Sequence, residues 1–107
     1  MRTFELRVYT LRTREALDFY RQAVYPRHLN SFPLFGIQAH GFWTAKVDGH
    51  PRLFALVSYA AGEEPGEVGR RYMQSTEFAD DTKGFDVADI VGAESTILIP
   101  STSSPLT

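Results

Sequence analysis

A chain of 107 residues with 43% hydrophobic, 22% charged and 13% aromatic residues has globular proportions and the length of a single domain, 1–107. Its formal net charge of −2, with Arg70-Arg71 the sole adjacent basic pair, gives no field to draw in a nucleic-acid backbone. Without cysteine it makes neither disulfides nor thiolate metal sites, and no apolar run reaches the roughly 18 residues of a membrane span.

The N-terminus MRTFELRVYTL alternates and lacks the order of a signal peptide, so a bacterial-type cytoplasmic protein is expected. Residues 3–11 predict a strand with Phe4, Leu6 and Val8 on one face and Glu5, Arg7 and Tyr9 on the other. The apolar face is expected to pack against helices, and the polar one to meet water or a polar cavity. Residues 14 to about 31 change to helical spacing through Leu17, Tyr20, Val24 and His28. Thr13 is the expected N-cap, and Pro26 is expected to kink or end the helix. A second strand over 37–47 holds Gly41, the mark of a bulge or close approach, and Asp48-Gly49 signals a hairpin. The returning strand, 52–60, is nearly all apolar and is expected to be buried on both faces.

After a polar turn at Gly62–Gly66, a second helix is predicted over about 67–79, with Val68, Tyr72, Met73 and Phe78 in one stripe. Gly69 weakens it by about 1 kcal/mol relative to Ala. The acidic stretch from Asp80 to Asp89 reads as a polar connection, its Asp80-Asp81 pair as solvated and flanked by Phe78 and Phe85 as a candidate lid. Residues 90–99 form the last strand, Pro100 stops it, and 99–107 is an extended tail. The order β-α-β-β-α-β predicts an α+β, ferredoxin-like fold with one antiparallel sheet and helices on one face. Its other face is left bare, and a large bare apolar face is most simply closed by a second copy of the chain.

Three blocks resemble the NIPSNAP family. Phe4-Glu5-Leu6-Arg7-Val8-Tyr9-Thr10-Leu11 is similar to its opening strand. Gly36 followed by Gly41-Phe42-Trp43-Thr44 is similar to its turn into the hairpin. Glu94-Ser95, Ile97-Leu98, Pro100 and Ser104-Pro105-Leu106 are similar to its closing strand and tail. The resemblance implies a dimeric α+β barrel in which two sheets face each other and enclose a cavity. On the same barrel, related families include monooxygenases of aromatic compounds, a link of fold alone. The chain departs from the family pattern in the third strand. Ala55 and Val57 stand where relatives often carry His and Trp, while Tyr59 is kept.

The candidate chemistry is a small-molecule site with no cofactor and no metal. Arg7, Tyr9, Trp43 and Tyr59 are the expected substrate-binding residues, with Arg7 to hold an anion or carboxylate and Trp43 to stack on a flat ligand. Glu5, His40 and Glu94 are the expected acid–base groups, with Glu94 to tune His40. Each has a structural alternative. Glu5, Arg7 and Tyr9 can satisfy one another, and Trp43 can anchor a dimer interface. His28 suits a helix C-terminus and can lie with Tyr25 over a cavity mouth, whereas His50 sits in a turn. Two functions follow. One is a homodimer binding a small organic, possibly aromatic, molecule, with acid–base or monooxygenase-type chemistry. The other is a non-catalytic dimerisation module with a filled sheet interface. A pocket of about 300 Å³ or more separates them.

Overall fold

The computed structural model describes residues 1–46 and 49–107. The predicted strand end at Val47 and the Asp48 of the hairpin signal lie outside the described residues. The alternating segment is strand β1 (Thr3–Leu11). Thr13 then caps α1 (Arg14–Phe19), its Oγ1 accepting from the Ala16 N–H at 3.0 Å. The helical path does not stop at Pro26. A π-helical turn, Tyr20–Val24, precedes α2 (Tyr25–Ser31), in which Pro26 occupies the first turn. Proline lacks an N–H and its ring crowds the preceding turn, so widening that turn lets the chain continue. A 3-10 turn, Phe32–Phe35, closes the run, and Gly36 at φ 75° supplies the left-handed residue that redirects it.

Strands β2 (Ile37–Thr44) and β3 (Arg52–Tyr59) follow. The predicted second helix is two. Glu64 caps α3 (Pro65–Met73), and Ser75 caps α4 (Thr76–Asp81), its Oγ accepting from Phe78 N–H at 3.1 Å. The serine competes for the backbone and so divides the helical stretch. A 3-10 turn, Val87–Asp89, leads into β4 (Ile90–Leu98). The strand order is β2-β3-β1-β4, antiparallel throughout. The result is the expected α+β, ferredoxin-like arrangement. At 39 × 35 × 19 Å the molecule is a plate, as thin as one sheet and one layer of helices.

Which sheet face the helices cover reverses the expectation. In register, Tyr9, Arg7 and Glu5 pair with Leu53, Ala55 and Val57, and these β3 residues are buried in the core with Leu17, Tyr20 and Val24. The Glu5-Arg7-Tyr9 face therefore lies under the helices. Phe4, Leu6 and Val8 pair with Ser58, Leu56 and Phe54 on the opposite face, which is bare except at Phe4 and Ser58, where Arg2 and His40 cover it. The helices present Tyr20, Tyr25, His28 and Tyr72, side chains with polar tips on large rings, so the polar face of β1 finds partners there. Strand β3 is accordingly sealed on one side only. Leu53, Ala55, Val57 and Tyr59 are at most 1% exposed, while Phe54 and Leu56 are half-buried.

Gly41 marks both a bulge and a close approach. The β2–β3 register slips between Ala39 and Gly41, and the Trp43 indole lies against Gly41, where an added Cβ would stand 2.6 Å from the ring. The C-terminal tail turns back to β1, where Arg2 Nη2 donates to the Thr107 carbonyl at 2.6 Å.

Candidate functional site

Between the sheet and the helices lies a cavity of about 560 Å³. Its floor is the odd-numbered face of β1 with Ser95 of β4, and its walls carry Tyr20, Tyr25, Phe32, Tyr72 and Phe78. A shallower depression of about 660 Å³ at the strand ends is lined by Arg2, Gln38, Ser58 and the tail, and it has no acidic side chain among its lining residues.

Alternation along β1 sets Glu5, Arg7 and Tyr9 side by side on the floor. Arg7 Nε donates to Glu5 Oε1 at 2.8 Å, and Arg7 Nη2 donates to Tyr59 Oη at 2.6 Å. The Tyr59 hydroxyl in turn donates to Glu5 Oε1 at 2.5 Å, and Ser95 Oγ donates to Glu5 Oε2. Arg7 Nη1 reaches Tyr9 Oη at 3.4 Å, and the guanidinium lies 5.9 Å from the Phe32 ring centre. Burial pushes the Glu5 carboxyl up, but the Arg7 charge and three hydrogen bonds outweigh it and hold Glu5 below the usual carboxylate range. Burial opposes the Arg7 charge too, yet its anionic and phenolic neighbours drive its pKa upward. The Tyr59 phenol is raised, first by burial and then by Glu5, against the pull of Arg7. Glu5 is thus a low-pKa carboxylate with both oxygens occupied, poorly suited to take a proton. Arg7 is neutralised before any ligand arrives.

A second polar cluster, which sequence reasoning missed, joins the three helices above this floor. Asp81 is 6% exposed and not part of a solvated run. Its Oδ2 accepts from Tyr72 Oη at 2.6 Å and lies 3.3 Å from His28 Nδ1, while Oδ1 accepts from Ser31 Oγ at 3.0 Å. Tyr72 Oη also meets His28 Nδ1. The His28 ring is stacked between Phe32 and Phe78, at centroid distances of 5.2 and 6.3 Å and within 9° of parallel. Burial lowers its pKa, Asp81 raises it by hydrogen bond and charge, and Arg7 lowers it again, leaving it below the ordinary value. Arg27 fastens the arrangement by donating to the Asp81 and Lys83 carbonyls. The nine-residue separation from Tyr72, across the helix break at Ser75, hid Asp81 behind its exposed neighbour Asp80. Phe78, expected as a lid, is packed against Tyr72 and His28, and Phe85 stacks on Phe19 at 6.2 Å.

Of the expected site residues, the structure unites Glu5, Arg7, Tyr9 and Tyr59. It separates the others. His40 lies on the bare-face side of β2, its Nε2 2.8 Å from Ser58 Oγ and its ring 5.2 Å from Phe4. Glu94 pairs with Val8 on β4, which directs it to the bare face, although the residue also borders the cavity. Two strands separate His40 from Glu94, a gap of at least about 14 Å at the usual strand spacing, so Glu94 does not tune His40 within one chain. Burial and the Arg2 charge hold the His40 pKa below its ordinary value. Trp43 is on the bare face, 54% exposed, away from the cavity. Ala55 and Val57 belong to the sealed core under the helices.

Fold and site together define a ferredoxin-like α+β protein with a ring-walled cavity under its helices and one uncovered sheet face. The NIPSNAP family model matches residues 4–105, and the chain belongs to the NIPSNAP family. Among solved structures it is similar to a NIPSNAP family protein from Agrobacterium tumefaciens, at 19% identity and TM-score 0.75, with 100% of each chain covered. A second Agrobacterium NIPSNAP protein, described as of unknown function, matches at 18% identity and TM-score 0.79, covering 99% of this chain and 94% of that one. An uncharacterised NIPSNAP domain protein from Burkholderia xenovorans matches at 16% identity and TM-score 0.73, covering 96% and 98%. At these identities the likeness is one of fold. No curated protein matches the chain.

Proposed function

We propose that the chain is a homodimer formed through its bare sheet face, and that each protomer binds a small organic molecule, aromatic in class, in the cavity under its helices. The observation that carries the binding reading is the 560 Å³ cavity itself, walled by aromatic rings over a polar floor. That volume is in the range of small-molecule sites and above what a filled interaction module would leave. Its place differs from the expected one. It belongs to one chain, between sheet and helices, and not to the space between two sheets. Binding is the function supported best, because Glu5, the expected base, already has both oxygens engaged.

The dimer reading rests on the bare face. Leu6, Val8, Phe54, Leu56 and Trp43 stand together there. At about 25 cal/mol per Å² of apolar area removed from water, closing this face against its copy outweighs any single surface ion pair. Native mass spectrometry of the purified protein tests both readings at once. The expected result is a dimer that sheds a low-mass organic molecule when activated. A monomer without bound mass, unchanged on incubation with small aromatic compounds, would overturn both.

A further inference from the structure

The cavity also carries two polar groups with nothing to bind. Tyr25 lines it and is 1% exposed, and its hydroxyl has no hydrogen-bond partner. The second group is His28, three residues further along α2 and so on the same helix face. The Tyr25 and His28 rings meet edge to face with centroids 5.3 Å apart. The hydrogen-bond network assigns the His28 tautomer. The single Tyr72 hydroxyl hydrogen goes to Asp81 Oδ2, so Tyr72 Oη accepts from His28 Nδ1–H. In the neutral ring Nε2 is then a bare acceptor, and no described residue donates to it. One cavity wall therefore offers an unused donor, Tyr25 Oη, beside an unused acceptor, His28 Nε2.

Charge decides what can use them. Both arginines that line the cavity are already paired, Arg7 with Glu5 on the floor and Arg70 with Glu67 at the exposed rim, and Asp81 stands behind His28, so an anion at the depth of Tyr25 and His28 would meet no unpaired positive charge to replace its hydration. From the juxtaposition of the Tyr25 hydroxyl, the bare His28 nitrogen and the internally neutralised Arg7, we infer that the site takes an uncharged ring compound bearing a hydroxyl group. That hydroxyl donates to His28 Nε2 and accepts from Tyr25 Oη. The rings of Phe32, Phe78 and Tyr20 supply the apolar enclosure for the ring. Because the Tyr25 hydroxyl is buried behind the cavity lining, contact requires a small side-chain adjustment of the kind common on binding. This inference rests on the binding reading above and replaces Arg7 with Tyr25 and His28 as the groups that choose the ligand.

The test is calorimetric titration of the full chain with three probes of one shape: β-naphthol, its methyl ether and β-naphthoate. β-Naphthol is expected to bind. The ether keeps the acceptor for Tyr25 but has no proton for His28, and is expected to bind about five- to tenfold more weakly. The naphthoate anion is expected to bind more weakly still. Tyr25→Phe is expected to weaken β-naphthol about five- to tenfold and to raise the melting temperature of the ligand-free protein, because it deletes a buried unpaired hydroxyl. That pair of opposite effects is one that a merely structural tyrosine would not produce. Naphthoate binding tighter than naphthol, equal binding of all three, or Tyr25→Phe binding naphthol unchanged would each overturn the inference. A protein that carries co-purified ligand yet ignores all three probes overturns this inference while leaving the binding reading in place.

Discussion

At the scale of single residues, Glu5 and Arg7 are the pair on which the cavity floor depends. Their side chains are only 12% and 15% exposed, and they neutralise one another in a region that hydrates neither. Glu5→Ala leaves the guanidinium buried without its carboxylate, and we expect a loss of about 3 kcal/mol or more, read as a lower urea midpoint. Acid acts in the same direction in two stages. The His28 pKa is depressed from 6.5, chiefly by burial. As pH falls below about 6.5 the unfolded chain takes up a proton that the folded chain refuses, so stability declines down to the folded pKa. Glu5 is depressed from 4.5, so its contribution is complete above that pH and is lost as pH falls through its lower folded value. Urea melts at a series of pH values, with NMR titration of the His28 ring, check both stages. A stability that rises on acidification from neutral pH would contradict this assignment. The floor was legible in the sequence, since period-two spacing alone sets Glu5, Arg7 and Tyr9 together. Tyr72, His28 and Asp81 were not, because they lie on three helices whose packing no local pattern encodes.

At the scale of elements, the position of each was close to legible, whereas orientation was not. Thr13, Gly41 and Pro100 punctuate the chain as their chemistry predicts. The single helix expected over 67–79 became two because a side-chain cap at Ser75 competes with helix continuation. The face of β1 that turns to the helices was misjudged for a different reason. Both faces carry large apolar surface, one as rings with polar tips and hydrogen-bonded partners and the other as aliphatic and aromatic side chains, and hydrophobicity alone does not rank the two. Gly69 on α3 offers an element-scale test. A Cβ added there would stand 3.9 Å from Arg7 Nη2, an ordinary contact. Gly69→Ala should therefore stabilise the protein by up to about 1 kcal/mol through helix propensity, seen as a raised thermal midpoint. A lowered midpoint would mean that α3 sits closer to the guanidinium than this geometry gives.

At the scale of the whole molecule, a plate 19 Å thick with helices on one side has one surface still to close. Leu6→Glu, in the middle of the bare face, should convert the proposed dimer to a monomer by light scattering while the far-ultraviolet dichroism of the sheet and helices persists. A dimer that survives it would place the contact elsewhere. The π-helical turn Tyr20–Val24 has a consequence for cavity and helix alike. It spends one residue more than an ordinary α-turn on about the same rotation, so the extra residue is absorbed there and the helix on either side stays in phase. Removing a single residue from it would restore a regular coil and leave Tyr25 and His28 facing the sheet. Removing one from the regular turns of α1 instead would rotate everything beyond by about 100° and take the donor–acceptor wall away from the cavity. In this protein the ligand pocket is phased by a count of residues, and the wide turn is the place where that count has slack.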